Sequence, residues 1–172
     1  MATSSQAFVT DLLVQKFQGL GLEIDGVPVP VYDGPEGPNE DDNYVVIMGW
    51  PGQTSASQMK WAYMGTMTRY EDYDLAVMVF SWVGGDNADA SWDASDAQAT
   101  ARAHARYIES AIEASLLADP NLSEQNNGTP AVIWVLLQSS RLDQTPPDEE
   151  SAMGRFAQYA LKVQVKNVLS GV

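Results

Sequence analysis

Residues 74–82 read Asp-Leu-Ala-Val-Met-Val-Phe-Ser-Trp, and this stretch constrains the fold more than any other in the chain. Alternate side chains of a strand point to opposite faces. Leu75, Val77, Val79 and Ser81 therefore share one face, and Ala76, Met78, Phe80 and Trp82 share the other. Both faces are largely apolar. A strand of this kind sits inside a sheet or is buried against a neighbouring subunit. It ends a longer stretch, Met59 to Trp82, that is expected as a strand pair or one long bent strand.

The remaining elements are read from periodicity. Thr3 to Leu20 has Phe8, Leu12, Leu13, Phe17 and Leu20 at helical spacing, with Ser4 or Ser5 as cap and Gly19 and Gly21 as stops. Val27 to Tyr32 alternates Val with Pro, which suits an edge strand or an extended lead-in segment. Tyr44 to Met48 is a short apolar strand, and Ala131 to Gln138 reads as a buried one. Asp96 to Ala118 is the strongest helix, with the stripe Ala101, Ala105, Ile108, Ile112 and Leu116 widened by Ala111 and Leu117. Pro120 ends it, and Asn126-Asn127-Gly128 marks a turn. Phe156 to Leu169 closes the chain as a strand, with Leu161, Val163 and Val165 alternating with Ala160, Lys162, Gln164 and Lys166. Helices separated by runs of strands predict an α+β fold: a mixed or antiparallel sheet with two main helices on one face, in a single domain over residues 1–172.

Charge and composition exclude several classes. The chain has 172 residues, with 9 Lys+Arg against 23 Asp+Glu and a net charge of −14, so no basic stripe for tight nucleic-acid binding is available. Hydrophobic residues at 45% allow a genuine core, and the absence of Cys excludes disulfides, thiolate zinc sites and a cysteine nucleophile. No apolar run approaches the ~20 residues of a membrane span, and the polar start lacks the order of a signal peptide. A protein made and left in the cytoplasm is the expectation, with no membrane partner. Three stretches, 33–43, 84–96 and 145–151, read as acidic loops.

No enzyme signature emerges. His104 lies beside the helical stripe with no triad partner marked, and reads as a packed ring. Asp86, Asp89, Asp93 and Asp96 invite a calcium reading, but counting from Asp89 puts Ala94 where an EF-hand needs Gly and Thr100 where it needs Glu. Gly49-Trp50-Pro51-Gly52 follows a strand without the Lys-Ser/Thr of a phosphate loop. Glu109 and Glu113 share a helix face without a histidine companion. The expectation is a non-enzyme without cofactor or metal.

The middle of the chain is rich in aromatics and methionine: Trp50, Met59, Trp61, Tyr63, Met64, Met67, Tyr70, Tyr73, Trp82 and Trp92. These residue types fill cores, and they are also enriched at protein–protein interfaces. Trp50 and Trp92 fall in polar loops, which favours partner surfaces.

The segment order resembles the tail terminator (tail completion) proteins of long-tailed bacteriophages, particularly those of actinobacterial phages. The resemblance is carried by the opening helix Phe8–Leu20, the strand Tyr44–Met48, and Arg69-Tyr70-Glu71 running into Asp74–Trp82. The helix Ala97–Leu117 with Ala-Asp-Pro-Asn-Leu after it, the strand ending in Leu137-Gln138, and the closing strand Tyr159–Val168 complete it. It spans nearly the whole chain and is one of pattern, shared in much by other head-to-tail joining proteins; the long acidic loops are a departure from it.

It implies a six-fold ring, a homo-oligomer at the head-proximal end of the tail tube, that stops polymerisation and offers a surface for head attachment. The implied partners are the tail tube protein and the neck or connector proteins, with DNA passing through the channel without tight binding. The implied location is the virion, assembled in the host cytoplasm. An acidic wall suits such a channel, and acidity also serves solubility. The candidate partner or ring interface comprises Trp50, Trp61, Tyr63, Met64, Arg69, Trp82 and Trp92. The alternatives are a head-completion or neck adaptor and, from another class, a small metal-binding enzyme or ligand-binding domain using the acidic loops.

Overall fold

A computed structural model describes residues 5–34, 41–49, 57–59, 68–84, 94–143 and 154–170. In chain order the elements are α1 (Gln6–Gln18), β1 (Glu23–Ile24), β2 (Val27–Pro28), β3 (Val31–Asp33), β4 (Asn43–Gly49), β5 (Ser57–Met59) and β6 (Thr68–Gly84). They continue with α2 (Ala94–Ala118), a 3-10 turn at Glu124–Asn126, β7 (Trp134–Asp143) and β8 (Gly154–Ser170). The main sheet runs β3-β4-β6-β8-β7, with β5 also paired to β6. Only β3 and β4 run parallel; the other pairs of this sheet are antiparallel. The fold is α+β with a mixed sheet, as the element order predicts.

The doubly apolar stretch lies where its composition requires, in β6 between β4 and β8. The β6–β8 ladder is continuous from Thr68↔Ser170 to Gly84↔Gly154. One face of the sheet carries Val45, Ile47, Leu75, Val77, Val79, Leu161, Val163 and Val165, all buried. Both helices cover this face. From α1 come Val9, Leu12, Leu13 and Phe17, and from α2 Ala101, Ala105, Ile108, Ile112 and Leu116, all in one core cluster. The alanines of the first half of α2 let its backbone approach the sheet, and Gln98 Nε2 donates to the Phe156 carbonyl of β8 at 3.0 Å.

Several expectations need correction. Leu117 does not widen the α2 stripe; it is 67% exposed, because only one side of the helix meets the sheet. The segment read as a buried strand is the edge strand β7, beginning at Trp134, with Val135 buried and Leu136 exposed. Its apolar content reflects a strand start held by Val135 N–H to the Pro120 carbonyl rather than burial on both faces. Tyr73, grouped above with aromatics that fill a core or face a partner, belongs to the core. Asp25 and Gly26, at φ 53° and 79°, form the two-residue turn of the β1–β2 hairpin, a local Asp-Gly signal not used above. The expected loop 145–151 lies outside the described residues, as do 35–40 and 85–93 of the other two.

Two buried polar anchors tie the helices down. Ser5 caps α1 by position, but its side chain turns to the sheet: its N–H and its Oγ both donate to Glu71 Oε2 at 2.8 Å, and Tyr73 Oη lies 3.3 Å from Oγ. A carboxylate at a helix N-terminus also meets the positive end of the helix dipole. Burial pushes the Tyr73 hydroxyl up to about 12, opposed by the Ser5 hydrogen bond and aided by the Glu71 charge.

The second anchor joins the two helices. Lys16 Nζ, on the buried face of α1, lies 3.4 Å from both Asp119 Oδ2 and Glu124 Oε2. Asp119 also accepts from the Ser123 amide and hydroxyl and from the Glu124 amide, at 2.8–3.1 Å. Burial alone would raise its carboxyl, but these hydrogen bonds and the Lys16 charge outweigh burial and hold it below its ordinary value. Among the described residues, no helix is long and apolar enough to cross a membrane.

Candidate assembly surface on the second sheet face

The pleat that sends Leu75, Val77 and Val79 into the core sends Ala76, Met78, Phe80 and Trp82 to the opposite face. The helices pack on the other side of the sheet; on this face Val46 and Ala76 are buried, Met78 and Phe80 are half-buried, and Trp82 is exposed. Register then decides what lies beside what. Tyr44 of β4 is opposite Phe80 of β6, and Phe80 is opposite Gln158 of β8, with Phe156 opposite Trp82. Tyr32 of β3 pairs with Val46 next to Tyr44.

The result is a row of rings across four adjacent strands. Tyr32 and Tyr44 meet edge to face with centroids 6.3 Å apart. Tyr44 and Phe80 stack at 4.7 Å with planes 18° apart, and Phe80 and Phe156 follow at 5.9 Å. Aromatic pairs in such geometries add about 0.5–1.5 kcal/mol each beyond their buried area. At the end of the row Trp82 is 37% exposed.

Asp41 and Asp42 line a cleft of about 350 Å³ together with Tyr44, Phe80, Ser81, Trp82 and Phe156. Tyr32 Oη donates to Asp41 Oδ2 at 2.5 Å. That hydrogen bond pushes the Tyr32 hydroxyl up to about 12, with desolvation and the Asp41 charge adding to it. Burial raises the Tyr44 hydroxyl as well.

The other half of this face is polar. Lys162 Nζ lies 3.1 Å from Asp74 Oδ2, Lys166 is opposite Asp72, and Gln138 Nε2 donates to Gln164 Oε1 at 2.6 Å. Leu136, opposite Gln164 on the β7 edge, is 47% exposed. Charge-paired side chains thus flank an aromatic end bounded by carboxylates. The arrangement suits contact with another surface.

Of the seven interface candidates, Trp82 lies on this face. Arg69 lies near the other end of β6, opposite Leu169 of β8 and Met59 of β5 in the ladder. The two are not brought together. Trp50, Trp61, Tyr63, Met64 and Trp92 lie outside the described residues. The ring row was missed because Tyr32, Tyr44, Phe80 and Phe156 are scattered in sequence. The available signal was their common outward phase on separate strands.

His104 Nε2 lies 3.9 Å from Asp25 Oδ2. Among the described residues, no group of three or more His, Asp or Glu side chains could hold a metal ion. Compared with known proteins, the chain matches no family and no curated sequence.

Proposed function

We propose that this protein is a tail terminator of a long-tailed bacteriophage. It forms a ring of six copies on the head-proximal end of the tail tube, ends polymerisation and presents the surface to which the head attaches. The number six and the tube contact come from the resemblance of segment order. The physical observation that supports an assembly role is the aromatic row ending in exposed Trp82 on the sheet face opposite the helices. The mechanism is geometric: a head-to-tail contact repeated by a fixed rotation closes into a ring. No step of it requires a catalytic residue.

Charge supports passage of DNA rather than capture. Lys16 is buried against Asp119, Lys162 is beside Asp74, and Arg141 Nη2 lies 3.9 Å from Asp143 Oδ2. With few basic groups to displace counterions, the protein is expected to leave a labelled duplex unretained at physiological salt in fluorescence anisotropy. Salt-sensitive micromolar retention would contradict the channel-wall role.

The direct test adds purified protein to polymerising tail tubes and measures tube length by negative-stain imaging. Length should become fixed, with density added at one tip. Continued growth with bare tips would refute the terminator reading, and binding to isolated connectors without binding to tubes would favour a neck adaptor.

A further inference from the structure

We propose that the cleft at the aromatic end of the second sheet face docks one arginine side chain, carried by an extended segment of a basic partner protein. This inference does not rest on the tail reading. Its lining combines Tyr44, Phe80, Trp82 and Phe156 with Asp41 and Asp42. Ring faces attract a cation through their quadrupole, and a carboxylate within reach adds a charge-assisted hydrogen bond. Among the described residues, those lining the cleft include two carboxylates and no basic side chain.

The hydrogen bond from Tyr32 fixes Asp41 at the rim. A carboxylate accepts through both oxygens, so holding Oδ2 still leaves acceptor capacity for a guanidinium. The volume, about 350 Å³, is on the scale of a side chain and its neighbours. Arginine fits better than lysine because its planar fork can stack on a ring and reach a carboxylate at once. Charge complementarity selects the partner: a second copy also carries −14, whereas a basic segment is attracted.

The test titrates the full chain with a short Gly/Ser peptide bearing one central arginine, followed by aromatic NMR shifts. Peptides with citrulline or lysine at that position are the comparisons. The arginine peptide should give saturable shifts at the rings of Phe80, Trp82 and Phe156. Citrulline, isosteric but uncharged, should bind about tenfold or more weakly, as should arginine to the Asp41→Asn/Asp42→Asn variant. Trp82→Leu should weaken binding by about twofold to fivefold.

Absence of saturable shifts, shifts located elsewhere, or equal binding of citrulline or lysine would each overturn the proposal. Undiminished binding to the double Asp→Asn variant would overturn it too. If the protein instead self-associates through this face and the double variant abolishes that, the occupant is a second copy and the proposal fails. Should the double variant not fold, the comparison of arginine with citrulline on the unaltered chain decides.

Discussion

Asp119→Ala is expected to lower stability by about 3–5 kcal/mol, because it strips a buried cation of its buried partner. Among the described residues Lys16 would keep Glu124, whose side chain is 69% exposed and too solvated to replace Asp119. The amides of Ser123 and Glu124 would lose their acceptor at the same time. Urea unfolding near neutral pH measures the loss. Glu124→Gln, which touches the exposed contact, should cost under about 1 kcal/mol. Equal losses for the two variants would show that the anchor is not the Lys16–Asp119 pair.

The same site gives a pH dependence of known sign. The folded carboxyl of Asp119 lies below its ordinary value of 3.8. Its contribution is therefore fully present above about pH 4 and is lost as pH falls through the depressed folded value. Asp119→Asn should flatten that part of the acid limb, read as the change in urea midpoint with pH. An unchanged acid limb would mean that other carboxylates dominate it.

Ile112→Ala is the second large expected effect, at about 2–5 kcal/mol. Ile112 is fully buried in the cluster that joins α2 to β6, β8 and β7, and truncation leaves a void that its packed neighbours fill only in part. Leu117→Ala, five positions along the same helix, should change stability by under about 0.5 kcal/mol because its side chain is exposed. Similar costs at the two positions would mean that the buried stripe of α2 has been assigned to the wrong side.

What was legible in the sequence was whatever a local period records. The two-residue alternation of Leu75–Trp82 and of Ala160–Lys166 fixes which side chains share a face, and both groupings hold in the ladder. The helical stripe from Ala101 to Leu116 holds for the same reason. Lys16 was also within reach of such reasoning, since it lies four after Leu12 and three after Leu13 on the buried side of α1. Its partner Asp119 is remote in sequence, so the pair itself is visible only after folding. The edge position of β7 and the shift of register between Leu137 and Ser139 likewise depend on strand order, which composition does not record. The ring row needs four strands in register, and no single segment carries that information.

The central claim is that the sheet face opposite the helices is where another protein packs. A reconstruction of isolated tails, with this chain fitted into the density at the head-proximal tip, tests it most directly. The account predicts six copies related by rotation, with Tyr44, Phe80, Trp82 and Phe156 buried against a basic segment of the tube or of a neck protein. A ring in which these side chains face solvent while the outer surfaces of α1 and α2 make the contacts would contradict it, as would a tip without this protein.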